Sequence, residues 1–232
     1  MFRSLIPLCL LACAVPSAWA ARPFVTDDAR LTTAQSCQLE SWVRSYRHST
    51  EVWALPACNP MGNLEFTFGG GRARTDGQPS SSDSLFQLKT LFKPLETNGW
   101  GWGLAVGTIR HPSVQPGPNQ FGNRYLYVPF SASLDNDRVV VHANLGGLRD
   151  KRTHQGSLTW GVGAEVQASA RWLAIAEAFG DHRNQPYWQL GGRYAIVPNR
   201  VQIDATLGQQ AGGNANARWV SFGLRLTPES LF

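Results

Sequence analysis

The chain has 232 residues, a formal net charge of +5 at pH 7 and only 16% charged side chains, with 23 glycines and 9 tryptophans, and its length fits one domain. The arginines are scattered singly, without a basic run or a recognition motif, so we expect no nucleic-acid partner. Past the N-terminus no stretch approaches the ~20 consecutive apolar residues of a spanning helix, which excludes a helical membrane protein.

The first twenty residues have the pattern of an export signal. Arg3 supplies the positive start, Leu5 to Val15 form a short apolar stretch, and Ala18-Trp19-Ala20 is a small-x-small cleavage motif. We therefore predict a signal peptide over residues 1–20 and a mature chain from Ala21. The alternative is a lipoprotein acylated at Cys13, which would have an unusually short apolar segment.

Removal of the signal leaves two of the four cysteines, Cys37 and Cys58. The periplasm is oxidising, so a pair in an exported chain predicts one structural disulfide. The alternative, a metal site, needs more ligands than His48 can add. We expect no metal and no cofactor.

Apolar and polar residues alternate with period two from about Cys37 to the end of the chain. In one example Leu64, Phe66 and Phe68 share a face, and Glu65 and Thr67 share the other. About twelve strands follow from such runs. They start near Cys37, Glu51, Asn63, Leu85, Trp100, Arg124, Arg138, Ser157, Trp172, Tyr187, Val201 and Trp219, and the first two are the least distinct.

The connections between these strands alternate between long polar links and short turns. Residues 72–82 and 111–123 are long links, whereas 135–137 and 198–200 are short. Outer-membrane barrels have long external loops and short periplasmic turns, and an even strand number. The link at His48 to Thr50 departs from this pattern, because it should be external and is short.

A soluble β-sandwich or lipocalin-like barrel also alternates, with its apolar face inward. Composition favours the membrane: the polar faces hold Gly, Thr, Gln and single charges rather than dense Lys and Glu. Aromatic residues near strand ends predict interfacial girdles. They are Trp42, Trp100, Trp102, Tyr125, Tyr127, Trp172, Trp188 and Trp219, and the chain ends in Phe232, as in last strands that the outer-membrane assembly machinery reads. We predict an all-β, transmembrane, antiparallel up-and-down β-barrel over residues 37–232.

In this orientation the polar faces point into the barrel and bring charges of alternating sign to its wall. The predicted lumen charge belt consists of Glu165, Glu177, Arg193, Asp204 and Arg225. Neighbouring strands lie ~5 Å apart, so these groups can pair. Two interpretations stay open: an internal salt-bridge belt that holds the strand register, or a constriction that selects solutes.

The polar segment of residues 21–36 precedes the first strand. It could enter the lumen as a plug or remain a disordered periplasmic tail, and the sequence leaves both open. Its residues Arg22-Pro23-Phe24-Val25-Thr26-Asp27-Asp28-Ala29 resemble the R-P-x-x-T-D-D-A opening of a proteobacterial outer-membrane family, the transporters grouped with the meta-pathway of phenol degradation. The stretches 176–180, 189–194 and 201–205 are similar to late strands of that family. The resemblance implies passage of small, often aromatic or apolar molecules.

A search for catalytic residues finds one arrangement to name, His142 beside the strand that carries Ser131 and Ser133. Alternation places His142 in the lumen with Asn144, whereas a lipid-modifying site would face the bilayer. We therefore expect no enzyme. The leading hypothesis is a Gram-negative outer-membrane channel or transporter for small molecules, inserted in lipid by the assembly machinery. The alternatives are a structural or surface-interaction barrel without transport and, third, a lipid-modifying barrel enzyme.

Overall fold

The computed structural model describes residues 23–110, 124–150, 154–213 and 215–228. The predicted signal peptide, the 111–123 link and Phe232 lie outside these residues. Twelve strands are present, and a 3-10 helix at Ala215–Ala217 precedes the last. The strands are β1 (Ser36–Tyr46), β2 (Ser49–Asn59), β3 (Glu65–Thr75), β4 (Ser81–Lys93), β5 (Trp100–Ile109), β6 (Arg124–Leu134), β7 (Val139–Arg149), β8 (Gly156–Gln167), β9 (Trp172–Asp181), β10 (Tyr187–Val197), β11 (Val201–Gln210) and β12 (Trp219–Leu226).

Every strand pairs antiparallel with its neighbour along the chain, and β1 pairs with β12 to close the barrel. Closure gives each strand two partners, so no backbone edge is left without hydrogen bonds. The predicted up-and-down topology and strand number are confirmed. The two least distinct strands of the sequence, around Trp42 and Trp53, form the β1–β2 hairpin.

The barrel has its apolar side chains outside and its charged ones inside. On β8, Leu158 and Val162 are 62% and 51% exposed, whereas Glu165 on the other face is 3% exposed. A soluble barrel has the opposite arrangement, because in water it costs free energy both to bury carboxylates inside and to expose leucines outside. The exposed apolar outer wall is that of a transmembrane barrel. Among the described residues, no helix has the length and hydropathy needed to cross a membrane.

Four of the eight aromatic residues predicted for interfacial girdles point into the barrel instead. Trp100, Trp102 and Trp172 are exposed and Trp188 is half-buried on the outer face, as predicted. The inward four are Trp42, Tyr125, Tyr127 and Trp219. Position near a strand end does not decide the face, whereas alternation does: on β6, Leu126, Val128 and Phe130 take the outer positions and leave the tyrosines inside.

The connections differ less in length than the sequence suggests, because several strands extend further than the alternating runs. Residues 47 and 48 alone join β1 to β2, and the links 76–80 and 182–186 are as short as turns at the opposite end. The longer links 110–123 and 211–218 share one end of the barrel. We call it the loop end, and the opposite one, where β1 begins, the turn end.

Cys37 and Cys58 lie directly opposite each other on β1 and β2 and form the predicted disulfide. Both residues are at the turn end, where Ser36 of β1 stands opposite Asn59 of β2. The bond therefore links the first hairpin covalently at the point where residues 23–35 lead into β1.

The orientation of the outer wall can be tested at Leu145, which lies in the middle of β7 and is 67% exposed. We expect Leu145→Arg to lower the free energy of unfolding by about 2–4 kcal/mol, because a guanidinium near the bilayer midplane loses its hydration. The measurement is urea-induced unfolding of the mature chain in phospholipid vesicles. Met61→Arg is the matched control, since Met61 is 74% exposed in the turn after β2. Equal effects of the two variants would contradict the assigned orientation.

Candidate functional site: the barrel lumen

Residues 23–35, here called the inner segment, precede β1, and residues 23–32 of the segment run through the barrel interior. Pro23 and Ala29 are fully buried, although neither belongs to a strand. The segment bonds to Glu177 on β9 near its start and to Glu65 on β3 near its end. It therefore crosses the lumen from one wall to the opposite one.

The start of the inner segment is held by the carboxylate of Glu177. The backbone N–H of Val25 donates to Oε1 over 2.7 Å, and that of Thr26 donates to Oε2 over 2.9 Å. The Gln189 amide donates to the same carboxylate and, over 2.9 Å, to the carbonyl of Pro23. A buried carboxylate needs such donors, and two otherwise unpaired backbone N–H groups supply them.

Two glycines on β8 make room for this part of the segment. A Cβ at Gly163 would lie 2.6 Å from the ring of Phe24, and one at Gly161 would collide with the Thr26 hydroxyl. Both glycines occupy inward positions where a side chain would project into the lumen. The close approach of segment and wall therefore requires glycine at both.

Asp27 and Asp28 in the middle of the inner segment pair with Lys89 of β4. The Lys89 ammonium lies 2.8 Å from Asp27 Oδ1 and 3.4 Å from Asp28 Oδ1, and its side chain is 4% exposed. Tyr127 of β6 donates its phenolic O–H to the other oxygen of Asp27 over 2.7 Å. A single buried lysine thus compensates two segment carboxylates, and this ion pair fixes the segment against β4 and β6.

The end of the inner segment is bound to four strands. The Ala29 N–H donates to Ser131 Oγ on β6 over 2.8 Å, and the Arg30 guanidinium lies 3.4 Å from Glu165 on β8. The Thr32 N–H donates to Glu65 on β3 over 2.6 Å. Thr32 also accepts, at its carbonyl, from the Asn59 amide on β2 over 2.7 Å. Contacts therefore reach the segment from much of the barrel wall.

All five residues of the predicted lumen charge belt are buried inside the barrel: Glu165, Glu177, Arg193, Asp204 and Arg225. Arg193 Nη1 lies 3.8 Å from Glu165 Oε1, and Arg193 stands opposite Asp204 in the β10–β11 register. These three residues are brought together.

The other two belt residues have different partners from those expected. Arg225 lies 3.9 Å from Glu40 of β1 and donates to Gln202 and Gln38. Glu177 binds the inner segment. On β10 it stands opposite Gln189, which precedes Arg193 by four residues. Alternation identifies the face of each residue but not its height along the barrel axis.

Ser131 and His142 are also joined, inside the lumen as alternation predicts. Ser131 Oγ lies 2.8 Å from His142 Nδ1, and His142 Nε2 lies 3.8 Å from Glu165 Oε2. The Phe24 ring packs edge-on against the imidazole at 5.5 Å between centroids. Ser131 and His142 are 0% and 1% exposed beneath the inner segment. The side chains of Ser131, His142 and Glu165 therefore connect the inner segment to the barrel wall rather than line an open cleft.

Aromatic side chains fill the loop end of the lumen on one side. Tyr46, Phe179 and Trp219 from β1, β9 and β12 belong to one buried cluster, and the partly buried Tyr187 of β10 packs against it. Trp219 also lies under the guanidinium of Arg44, 5.5 Å from the ring centroid. No permeating molecule can pass this side without displacing the cluster.

On the side of β1 to β6 a cavity of about 180 Å³ remains between the inner segment and the wall. Its lining combines aromatic and aliphatic side chains with ionisable groups. The apolar part includes Phe24, Trp42, Trp53, Leu55, Leu85, Ile109, Tyr125 and Tyr127, and the ionisable part is Asp27, Asp28, Arg30, Glu40, Arg44, Glu51, Glu65 and Lys89. Within the described part of the chain, no three His, Cys, Asp or Glu residues are grouped as metal ligands.

The cavity wall was not predicted from the sequence. Trp53 and Leu85 sit at positions that alternation assigns to the inner face, since Val52 on β2 and Phe86 on β4 are exposed outside. Because the lumen was expected to be polar, the inward positions of Trp53 and Leu85 were not recognised from the sequence. Asp27 and Asp28 were named from the sequence only as part of the motif in residues 22–29. Their pairing with Lys89 was not predicted, because no sequence pattern links them to that residue.

Breaking the Arg193–Glu165 pair tests the salt-bridge interpretation of the belt. We expect Arg193→Ala to lower the free energy of unfolding by about 3 kcal/mol, since it removes a buried partner of Glu165 while Arg30 and His142 remain. The temperature at which the folded band disappears in heat-modified gel migration should fall accordingly. Arg138→Ala is the control, because the Arg138 side chain is 70% exposed. An unchanged temperature for Arg193→Ala would remove the stabilising role.

Several solved structures share this fold. The KdgM porin superposes with a TM-score of 0.63 at 8% identity, over 83% of this chain and 99% of that one. The NanC porin gives 0.55 at 10% identity, over 83% and 98%. Outer membrane protein Omp33 of Acinetobacter baumannii gives 0.51 at 7% identity, over 83% and 98%. At such identities the likeness shows a common barrel fold alone.

Comparison at the level of sequence gives a family. No curated protein matches the chain. One family profile matches residues 8–227 and thus spans all twelve strands. The chain belongs to the family described as Uncharacterised conserved protein UCP029691.

Proposed function

We propose that the protein is a channel for small molecules in the Gram-negative outer membrane and that the inner segment narrows its lumen. Export through the predicted signal of residues 1–20, insertion by the assembly machinery and an outer-membrane location are parts of the same proposal. The barrel folds similar to this one include two porins, KdgM and NanC, and the outer membrane protein Omp33.

The cavity between the inner segment and β1–β6 is the observation that carries the proposal. A twelve-stranded barrel is wider than the eight-stranded kind that its own side chains fill. Here the additional width is occupied by the inner segment on one side and left as a cavity of about 180 Å³ on the other. A purely structural barrel has no need of unfilled lumen, because unfilled space forfeits packing contacts.

The inner segment is held by polar contacts, which a charged or polar solute can replace. Asp27 is one example, since its carboxylate meets Lys89 and the Tyr127 hydroxyl. The resemblance of residues 22–29 to transporters associated with phenol degradation also favours passage of small molecules.

Conductance across a planar lipid bilayer tests the channel. We expect small single-channel steps from the wild-type mature protein and larger or longer ones from Asp27→Ala, which loosens the inner segment by removing its bonds to Lys89 and Tyr127. The remaining Asp28–Lys89 pair keeps Lys89 compensated.

Asp76→Ala is the matched control, because Asp76 lies outside the strands with its side chain 77% exposed. It should conduct as the wild type does. Absence of steps from well-folded wild type and from Asp27→Ala would reject the channel and leave the structural or surface-interaction barrel. Steps that Asp27→Ala does not change would reject the narrowing role of the inner segment.

A further inference from the structure

We propose that the lumen cavity binds small organic cations that have an apolar body. The inference deepens the proposed function, on which it rests, by naming the class of solute. It follows from three properties of the cavity lining: its charge, its aromatic content and its size.

The cavity lining carries an excess of carboxylates, although the whole chain has a net positive charge. Five carboxylates and three cationic side chains line it: Asp27, Asp28, Glu40, Glu51 and Glu65 against Arg30, Arg44 and Lys89. Arg225, outside the lining, pairs with Glu40, so the excess is one carboxylate. In a narrow lumen with low-dielectric walls such an excess attracts cations more strongly than it would at an open surface.

Each cation of the lining already has a carboxylate partner. Arg44 lies 3.3 Å from Glu51, Lys89 lies 2.8 Å from Asp27, and Arg30 lies 3.6 Å from Asp28. An incoming anion would have to compete with these pairs.

Among the described residues, Glu65 is the lining carboxylate without a lysine or arginine nitrogen within salt-bridge distance, and its hydrogen bond comes from a neutral group. The donor is the Thr32 backbone N–H, and the facing Lys89 directs its ammonium to Asp27 and Asp28. The Glu65 side chain is 6% exposed, so bulk water contributes little to its solvation. A cationic ligand would supply the compensating charge.

The apolar part of the lining fits the body of such a ligand. Trp42 and Trp53 are stacked with centroids 5.9 Å apart, and Tyr125 and Tyr127 are stacked at 6.0 Å. Aromatic faces attract cations through the ring quadrupole and also bury hydrocarbon. A cavity of about 180 Å³ has room for a single ring with a short substituent.

Three probes of equal size separate charge from shape: benzylammonium, benzyl alcohol and benzoate. Their binding is measured by isothermal titration at pH 7 to the wild-type mature protein in non-ionic maltoside micelles. We expect benzylammonium to bind about tenfold more tightly than benzyl alcohol, and benzoate to bind most weakly. Equal affinities, tightest binding of benzoate, or no binding of benzylammonium would overturn the inference.

Glu65→Gln should remove most of the preference for benzylammonium over benzyl alcohol. The glutamine oxygen can still accept from the Thr32 N–H, so the inner segment keeps this bond. Glu96→Gln is the control, since the Glu96 side chain is 74% exposed in the β4–β5 turn, and it should keep the preference. A preference that survives Glu65→Gln would reject the assignment to this cavity, and the probe series on the wild type remains decisive if the variant does not fold.

The probe-binding experiment and the conductance measurement test two separate claims. A protein that conducts but binds the three probes alike would overturn the cation inference alone. One that prefers benzylammonium yet never conducts, with or without Asp27→Ala, would overturn the channel and leave a binding site.

Discussion

The pairing of buried wall carboxylates with backbone N–H groups of the inner segment determines how the lumen is organised. Glu177 and Glu65 would each be buried without sufficient donors in an empty barrel, and the N–H groups of Val25, Thr26 and Thr32 would lack acceptors. Each set satisfies the other. The barrel wall and the segment are therefore complementary parts of one interior.

This complementarity makes the lumen asymmetric. The inner segment crosses the lumen, the aromatic cluster around Trp219 lies mainly on the side of β9 to β12, and the cavity lies along β1 to β6. A cavity along one side differs from the central pore of a wide barrel, and it explains how a lumen can be both crossed by a peptide and left partly open.

Much of the fold could be predicted from the sequence, because in a barrel that faces lipid every strand has one apolar face and the period is two. Eleven of the twelve strand starts follow from this pattern within two residues, and the inward position of His142 follows as well. The first hairpin was harder, since Trp42 and Trp53 are apolar residues on the inner face.

The site itself was predicted only in part. Alternation identified the burial of Arg193 and Glu177, but not that Glu177 would bind backbone rather than a cation, since contacts at different heights along the axis depend on shear and strand length. The location of residues 23–35 could not follow from strand periodicity, because an irregular segment has none. Its binding to Lys89 and Glu177 joins residues far apart in the chain.

The burial of Pro23 has a consequence for how the molecule forms. The inner segment has its partners on strands from β2 to β10, and those strands become a wall only when they pair. A finished cylinder would have to admit a peptide whose bonds are distributed around its circumference. Pairing of β1 with β12 therefore encloses a segment that the barrel could not readily admit after closure.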